Sequence, residues 1–331
     1  MEHSALLFGV AVAMAYVYAF VGGFTDAANA IATSVGSRVL SLRNAVIMAA
    51  VFNLLGGLTG TAVAVTIGRG LVDPEAVSLA TVVAGLAGAM VWSLLTYSFG
   101  RPVSETHGLV GGLVGAGVAS AGLGVVQWRG LIPVLLAIVA SPLLGFLGGG
   151  ALIAAIYWAF RGVNRGSTKG LFINLQRLSA AYMAFSHGRN DAQKPMGVLA
   201  MALALYYGGK VTVPLWVVLS CSGTAALGTA YGGWRIIQTL GMRLTALNPV
   251  QGFAAEFAGA TVIQLASSAG IPVSTTHAIT SSIVGVGSVQ RRSAVRWSLA
   301  KEILLSWVLT LPATLLMGAL LLTLLRGLGL A

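Results

Sequence analysis

A string of eighteen residues occurs twice in this chain, and no fold that ignores the repeat accommodates it. The first copy opens Gly100-Arg101-Pro102-Val103-Ser104-Glu105-Thr106-His107 and runs to Gly117. The second opens Gly270-Ile271-Pro272-Val273-Ser274-Thr275-Thr276-His277, 170 positions later, and runs to Gly287. Nine of the eighteen aligned positions are identical. A shorter pair lies upstream, where Thr25-Asp26-Ala27-Ala28-Asn29 aligns with Asn190-Asp191-Ala192-Gln193-Lys194 at an offset of 165. The expected organisation is two related halves, residues 1–160 and 178–331, joined by a linker at 161–177.

The polar motifs sit in oily surroundings. Hydrophobic residues make up 57% of the chain and charged residues only 8%, against roughly a quarter charged in soluble domains. Stretches such as Ala45 to Ile67, Ala76 to Phe99, Leu131 to Phe160 and Ile303 to Leu325 are long enough to cross a hydrocarbon layer of about 30 Å. The 44 glycines suit close helix packing in a membrane. The segment Ala5 to Val21 lacks a basic flank and runs straight into the Asp26 motif, so an uncleaved first span is expected. The single Cys221 excludes an internal disulfide framework and a thiolate metal cluster. A net charge of +11 raises nucleic acid as a partner, but the basic residues are scattered over short loops without an aromatic-basic platform. Membrane orientation explains them better.

The loop charges support that explanation. Arg161, Arg165, Lys169 and Arg177 mark the linker as cytoplasmic. Equivalent loops then differ in charge: Arg38 and Arg43 against Lys210; Arg69 with Asp73 and Glu75 against Arg235 and Arg243; Arg129 against Arg291, Arg292, Arg296 and Lys301. This alternation predicts an all-α integral membrane protein made of two inverted-topology repeats with broken helices. Each repeat is expected to hold an odd number of crossings, three by our reading, and one re-entrant helical hairpin. The hairpin tips fall at Pro102–Thr106 and Pro272–Thr276, and both termini lie outside. Repeated halves with interrupted apolar segments at matching places are a pointer to a transporter's binding site.

Chemistry concentrates at these interruptions. Of eight acidic residues, Asp26, Glu105, Asp191 and Glu256 lie within or against apolar stretches. A carboxylate at the centre of a membrane helix costs at least about 2.5 kcal/mol, which makes each a functional candidate, with pairing to a backbone amide or an arginine as the plain structural alternative. Glu256 has no counterpart in copy one, where Leu86 aligns. Asp26, Asp191, Asn29, Asn190, Gln193 and Thr25 offer hard oxygen donors, a ligand set for small hard cations. Ser104 and Thr106, with Ser274, Thr275 and Thr276, follow a proline in the manner of helix starts, whose free amides attract an anion. An anion beside two carboxylates needs a cation between them, and that requirement is a physical basis for co-transport. His107, His187 and His277 lie in the motifs; backbone-bonded neutral imidazoles are the plain reading, and a proton relay through Glu105, His107 and His277 the sharper one. No HExxH string or Walker motif is present, and no nucleophile–base arrangement, so zinc chemistry, ATP-driven pumping and enzymatic activity are not expected. A passive channel is a rival that duplicated, broken motifs disfavour.

At these motifs the sequence resembles the inorganic phosphate transporter family. Its duplicated Gly-Ala-Asn-Asp-like signature has counterparts in Gly23-Phe24-Thr25-Asp26-Ala27-Ala28-Asn29 and Gly188-Arg189-Asn190-Asp191-Ala192-Gln193-Lys194. Its Pro-[Val/Ile]-Ser-x-Thr-His element is present twice, and Gly252-Phe253-Ala254-Ala255-Glu256-Phe257 is similar to its acidic segment. The resemblance spans essentially the whole chain. It implies cation-coupled phosphate symport in the plasma membrane by an elevator-like inverted-repeat dimer. Phosphate would be held by Ser104, Thr106, Ser274, Thr275, Thr276, Asn29, Asn190 and Gln193. Sodium would be held by Asp26, Asn29, Thr25, Asp191, Asn190 and Glu256, as a co-transported ion, with no covalent cofactor expected. Protons are the alternative coupling ion and sulfate the alternative anion. Thr25 stands where the first signature has Asn, and Arg189 where the second has a small residue.

Overall fold

The structure, a computed structural model, describes residues 2–330. Thirteen α-helices account for most of them: α1 (Glu2–Gly36), α2 (Leu42–Gly57), α3 (Ala62–Gly70), α4 (Leu79–Ser98), α5 (Glu105–Ala121), α6 (Trp128–Ala159), α7 (Arg165–Asp191), α8 (Gln193–Tyr207), α9 (Leu215–Tyr231), α10 (Trp234–Gln238), α11 (Pro249–Ser268), α12 (Thr275–Gln290) and α13 (Trp297–Gly327). By length and composition α1, α4, α6 and α13 can each cross a membrane. The stretch expected as one span, Ala45 to Ile67, is instead α2 and α3, bent by 70° around Leu58–Thr61. Within the expected linker, α7 already begins at Arg165.

Capping shows that matched sequence folds alike in both halves. Ser78 and Thr81 form a capping box at the start of α4, and Asn248 and Gln251 form one at the start of α11, 170 positions on. Gly100 and Gly270 both take positive φ, 65° and 70°, ending α4 and α11 where a side chain would be strained. The chain then runs extended through Pro102–Val103 and Pro272–Val273 before Ser104 and Ser274 cap α5 and α12. Single β-bridges, Val72 to Val126 and Thr245 to Val295, close the other end of each unit.

One pair of elements departs from the symmetry. The first Asp motif lies inside the unbroken helix α1, whereas the second sits at a break, with α7 ending at Asp191 and α8 starting at Gln193. Pro195 is the cause: it lacks the amide that would bond to the Asp191 carbonyl, and its ring crowds that carbonyl. Copy one has Ala30 at the equivalent position. Of the broken helices expected, the chain therefore has α2–α3 and α7–α8, but not α1.

The halves exchange partners. Helix α5 packs chiefly on α13 and α4, and α12 on α6 and α11. Small residues allow this closeness: a Cβ added at Gly115 would stand 1.9 Å from the Leu315 carbonyl oxygen. The outer faces of α6 and α13 expose Leu136, Val139, Leu147, Leu304 and Val308, as lipid-facing surfaces do.

Candidate functional site

Four chain segments meet at the middle of the molecule: the Asp26 turn of α1, the α7–α8 break, and the starts of α5 and α12. Reciprocal bonds lock the two helix starts together. Thr106 Oγ1 donates to the Val273 carbonyl (2.7 Å), and Thr276 Oγ1 lies 3.0 Å from the Val103 carbonyl. Their histidines touch edge to face, with His107 and His277 ring centroids 4.6 Å apart, and Trp307 stacks on His277 at 3.8 Å. The Trp307 indole N–H bonds to the Pro102 carbonyl at 3.1 Å. All of these residues except the half-buried Trp307 are buried.

Asp26, Asp191 and His187 each bring one ligand atom within 4.8 Å of the others. The Asp26 Oδ1 accepts from Thr276 (3.1 Å), while its Oδ2 is buried with no hydrogen-bond partner among the described residues. Asn29 directs its amide N–H groups at Thr275 (3.2 Å) and Thr276 (2.9 Å), which leaves its Oδ1 buried and unbonded beside the same cluster. Asp191 Oδ2 is 3.0 Å from Lys194 Nζ and 3.3 Å from His187 Nε2, and Thr275 Oγ1 donates to it at 3.3 Å. His187 is held from behind by Asn53, which in turn bonds to Thr229. Asn190 bridges Asp191 and the Val273 carbonyl, tying the α7–α8 break to the start of α12.

The remaining sequence candidates fall into three other places. Glu105 accepts from Ser93 and from Thr25 (2.7 Å), so the Thr25 hydroxyl serves Glu105 rather than Asp26. Glu105 nonetheless lines two small cavities that flank the cluster, one reaching Asp191, His187 and Lys194, the other reaching Asp26 and Thr25. Gln193 turns away: its Oε1 accepts from the Val63 and Ala64 amides and caps α3. Glu256 forms a separate buried group with Thr33 (2.5 Å), Ser179 (2.5 Å) and Gln176 (3.4 Å). Ser104 and Ser274 spend their hydroxyls on the amides of His107 and His277, both at 3.1 Å.

Sequence reasoning placed His187 and Lys194 in the motifs without giving either a part in the site, and passed over Asn53. The signal was available for two of them, because His187, Asp191 and Lys194 stand four and three residues apart, the spacing of neighbours on a helix. Asn53 comes from α2 and carried no such signal.

Matched against known proteins, residues 22–318 fit the model of the phosphate transporter family. A Rhizobium meliloti protein named "Probable low-affinity inorganic phosphate transporter" is 46% identical over 95% of each chain. A Bacillus subtilis protein of the same name is 40% identical over 92% of this chain and 93% of its own. Among solved structures, "The sodium-dependent phosphate transporter" superposes with a TM-score of 0.89 at 26% identity, covering 97% of this chain and 99% of the other. A likeness that runs the length of both chains, in sequence as in fold, makes this multi-pass membrane protein a member of the phosphate transporter family.

Proposed function

We propose that the chain is a phosphate symporter of the plasma membrane, in which two oppositely inserted halves give alternating access to the Asp26–Asp191 cluster and sodium is the coupled cation. The observation that carries this reading is the meeting of two membrane carboxylates with two duplicated helix starts. Helix starts attract a small oxyanion. A carboxylate about 4 Å from that anion repels it by roughly 4 kcal/mol per pair of unit charges at an effective dielectric near 20. A cation held between them reverses the sign of that interaction. Phosphate and cation then bind well only together, which is the requirement for symport. Asp26 Oδ2 and Asn29 Oδ1 are the oxygens left free to hold the cation. Opening the Thr106–Val273 and Thr276–Val103 bonds would present the Ser104–Thr106 and Ser274–Thr276 groups to phosphate.

Hard oxygen donors favour sodium, and the solved relative is named for sodium dependence. A proton-coupled reading draws on Glu105, whose carboxylate is buried with hydroxyl partners beside both cavities. Reconstituted liposomes held at equal pH on both sides separate the two. Inward sodium should drive accumulation of labelled phosphate, potassium should not substitute, and excess sulfate should compete weakly. Accumulation that follows a pH gradient and ignores sodium would shift the coupling to protons through Glu105. Sulfate uptake matching that of phosphate would change the carried anion.

A further inference from the structure

The two Asp motifs differ at the position where it matters most for charge. Asn29 in copy one aligns with Lys194 in copy two. Both side chains are buried, to 1% exposure, beside the aspartate of their own motif. Asn29 leaves a neutral oxygen, Oδ1, unbonded. Lys194 instead places its Nζ 3.0 Å from Asp191 Oδ2. Burying an ammonium is costly unless a carboxylate pairs with it, so the pair belongs to the fold. It also changes the inventory of the cluster: the Asp26 and Asp191 carboxylates would carry two negative charges, and Lys194 returns one positive charge that never leaves the protein.

We infer that Lys194 is a tethered cation, filling at Asp191 the place that a second transported cation would otherwise take, so that one cation fewer accompanies each phosphate. Among the described residues of the two Asp motifs, the side-chain oxygens without a hydrogen-bond partner lie on the Asp26 side, at Asp26 Oδ2 and Asn29 Oδ1. The inference rests on the cation-coupled reading above, but it concerns the difference one lysine makes. The charge carried by Glu105 adds equally with and without the lysine and drops out of that difference. A lysine that touched phosphate directly would behave otherwise, because losing it would weaken the anion without altering the number of cations needed.

Equilibrium binding of labelled inorganic phosphate to the purified, monodisperse full chain tests this, with sodium exchanged for choline at constant ionic strength and the series repeated across pH. Lys194→Met should bind phosphate only at raised cation concentration. Its plot of log affinity against log cation concentration should be steeper than that of the unaltered chain by about one cation. Lys194→Arg, which keeps the charge, should retain the original slope. A Lys194→Met slope equal to the original at every sodium and proton concentration overturns the inference, whatever the loss of affinity. So does a folded Lys194→Met protein that binds no phosphate under any of these conditions. Should the unaltered chain bind phosphate without regard to sodium or pH, the coupling reading fails. The tethered cation would then be judged by whether Lys194→Met acquires a cation dependence that its parent lacks.

Discussion

At the scale of single residues, cost and role separate the two aspartates. A carboxylate inside a membrane survives at a penalty of a few kcal/mol, and the fold offsets that penalty differently at each. Asp191 has Lys194, His187, Asn190 and Thr275 around it, whereas Asp26 has Thr276 on one oxygen and, among the described residues, no hydrogen-bond partner on the other. Asp26→Asn and Asp191→Asn should both abolish gradient-driven phosphate uptake in liposomes, and normal rates in either variant would remove that residue from coupling. Their stabilities should diverge. Asp191→Asn strands a buried ammonium, a loss on the order of 3–5 kcal/mol, and should lower the thermal midpoint of the purified protein, while Asp26→Asn should leave it level or raise it. Equal midpoints would mean that Lys194 does not depend on Asp191. Thr276 bonds to Asp26, to Asn29 and to the Val103 carbonyl, so Thr276→Ala should weaken phosphate binding by roughly ten- to a hundredfold, since a hydrogen bond to a charged group contributes about 1.5–3 kcal/mol. An unchanged dissociation constant would place the anion elsewhere. The aspartates were legible from charge in an apolar stretch, and the serines from the proline before them. Neither signal showed that Thr25 serves Glu105, or that Glu256 is enclosed by Thr33, Ser179 and Gln176, because those partners come from distant elements.

Helices carry the geometry, and their spacing is set by glycine. A Cβ at Gly188 would lie 2.1 Å from the Asn53 carbonyl oxygen, and one at Gly56 would lie 2.0 Å from that of Phe185, so α2 and α7 touch backbone to backbone beside His187. Gly188→Ala should force the two apart, lowering stability by about 1–3 kcal/mol and displacing His187 from Asn53. Gly223, within α9, has nothing within 4 Å of such a Cβ, and Gly223→Ala should be neutral or stabilising by about 0.5–1 kcal/mol. Thermal unfolding of the two purified variants measures the contrast, and equal midpoints would deny α2–α7 packing its role. Helix existence was legible along most of the chain, since long apolar runs and Ser or Asn caps are local signals. Interruptions were less so. The Ala45 to Ile67 run reads as one span, yet it bends by 70° because Gln193, 130 residues away, supplies the cap for a second start at α3. The unbroken course of α1 through its Asp motif was legible in principle, from Ala30 standing where copy two has Pro195.

For the whole molecule, the duplication explains why elements of one half lie against the other. Helices α5 and α12 meet through Thr106, Thr276 and their histidines, and each then packs on the last long helix of the opposite half. Two copies inserted in the same direction would bring both hairpin tips to the membrane from one side. Under the proposed opposite insertion they would come from two sides to a shared midplane, where rocking one half against the other would open the cluster to alternate faces. The proposed orientation rests on loop charge: Arg291, Arg292, Arg296 and Lys301 outnumber Arg129 at the equivalent place, which would put the α13 start with the Arg161–Arg177 stretch on the cytoplasmic face. Helix α6 separates Arg129 from Arg161 by 32 residues, about 48 Å at 1.5 Å per residue, enough to set them on opposite sides. Arg129 and Arg296 are both exposed, and Cys221 is the sole cysteine and buried, so a Cys221→Ala background is silent to thiol reagents. On it, Arg129→Cys should react with an impermeant maleimide added to intact cells. Arg296→Cys should react only after the membrane is opened. Labelling of both from the same face would mean parallel halves, and the alternating-access reading would lose its symmetry.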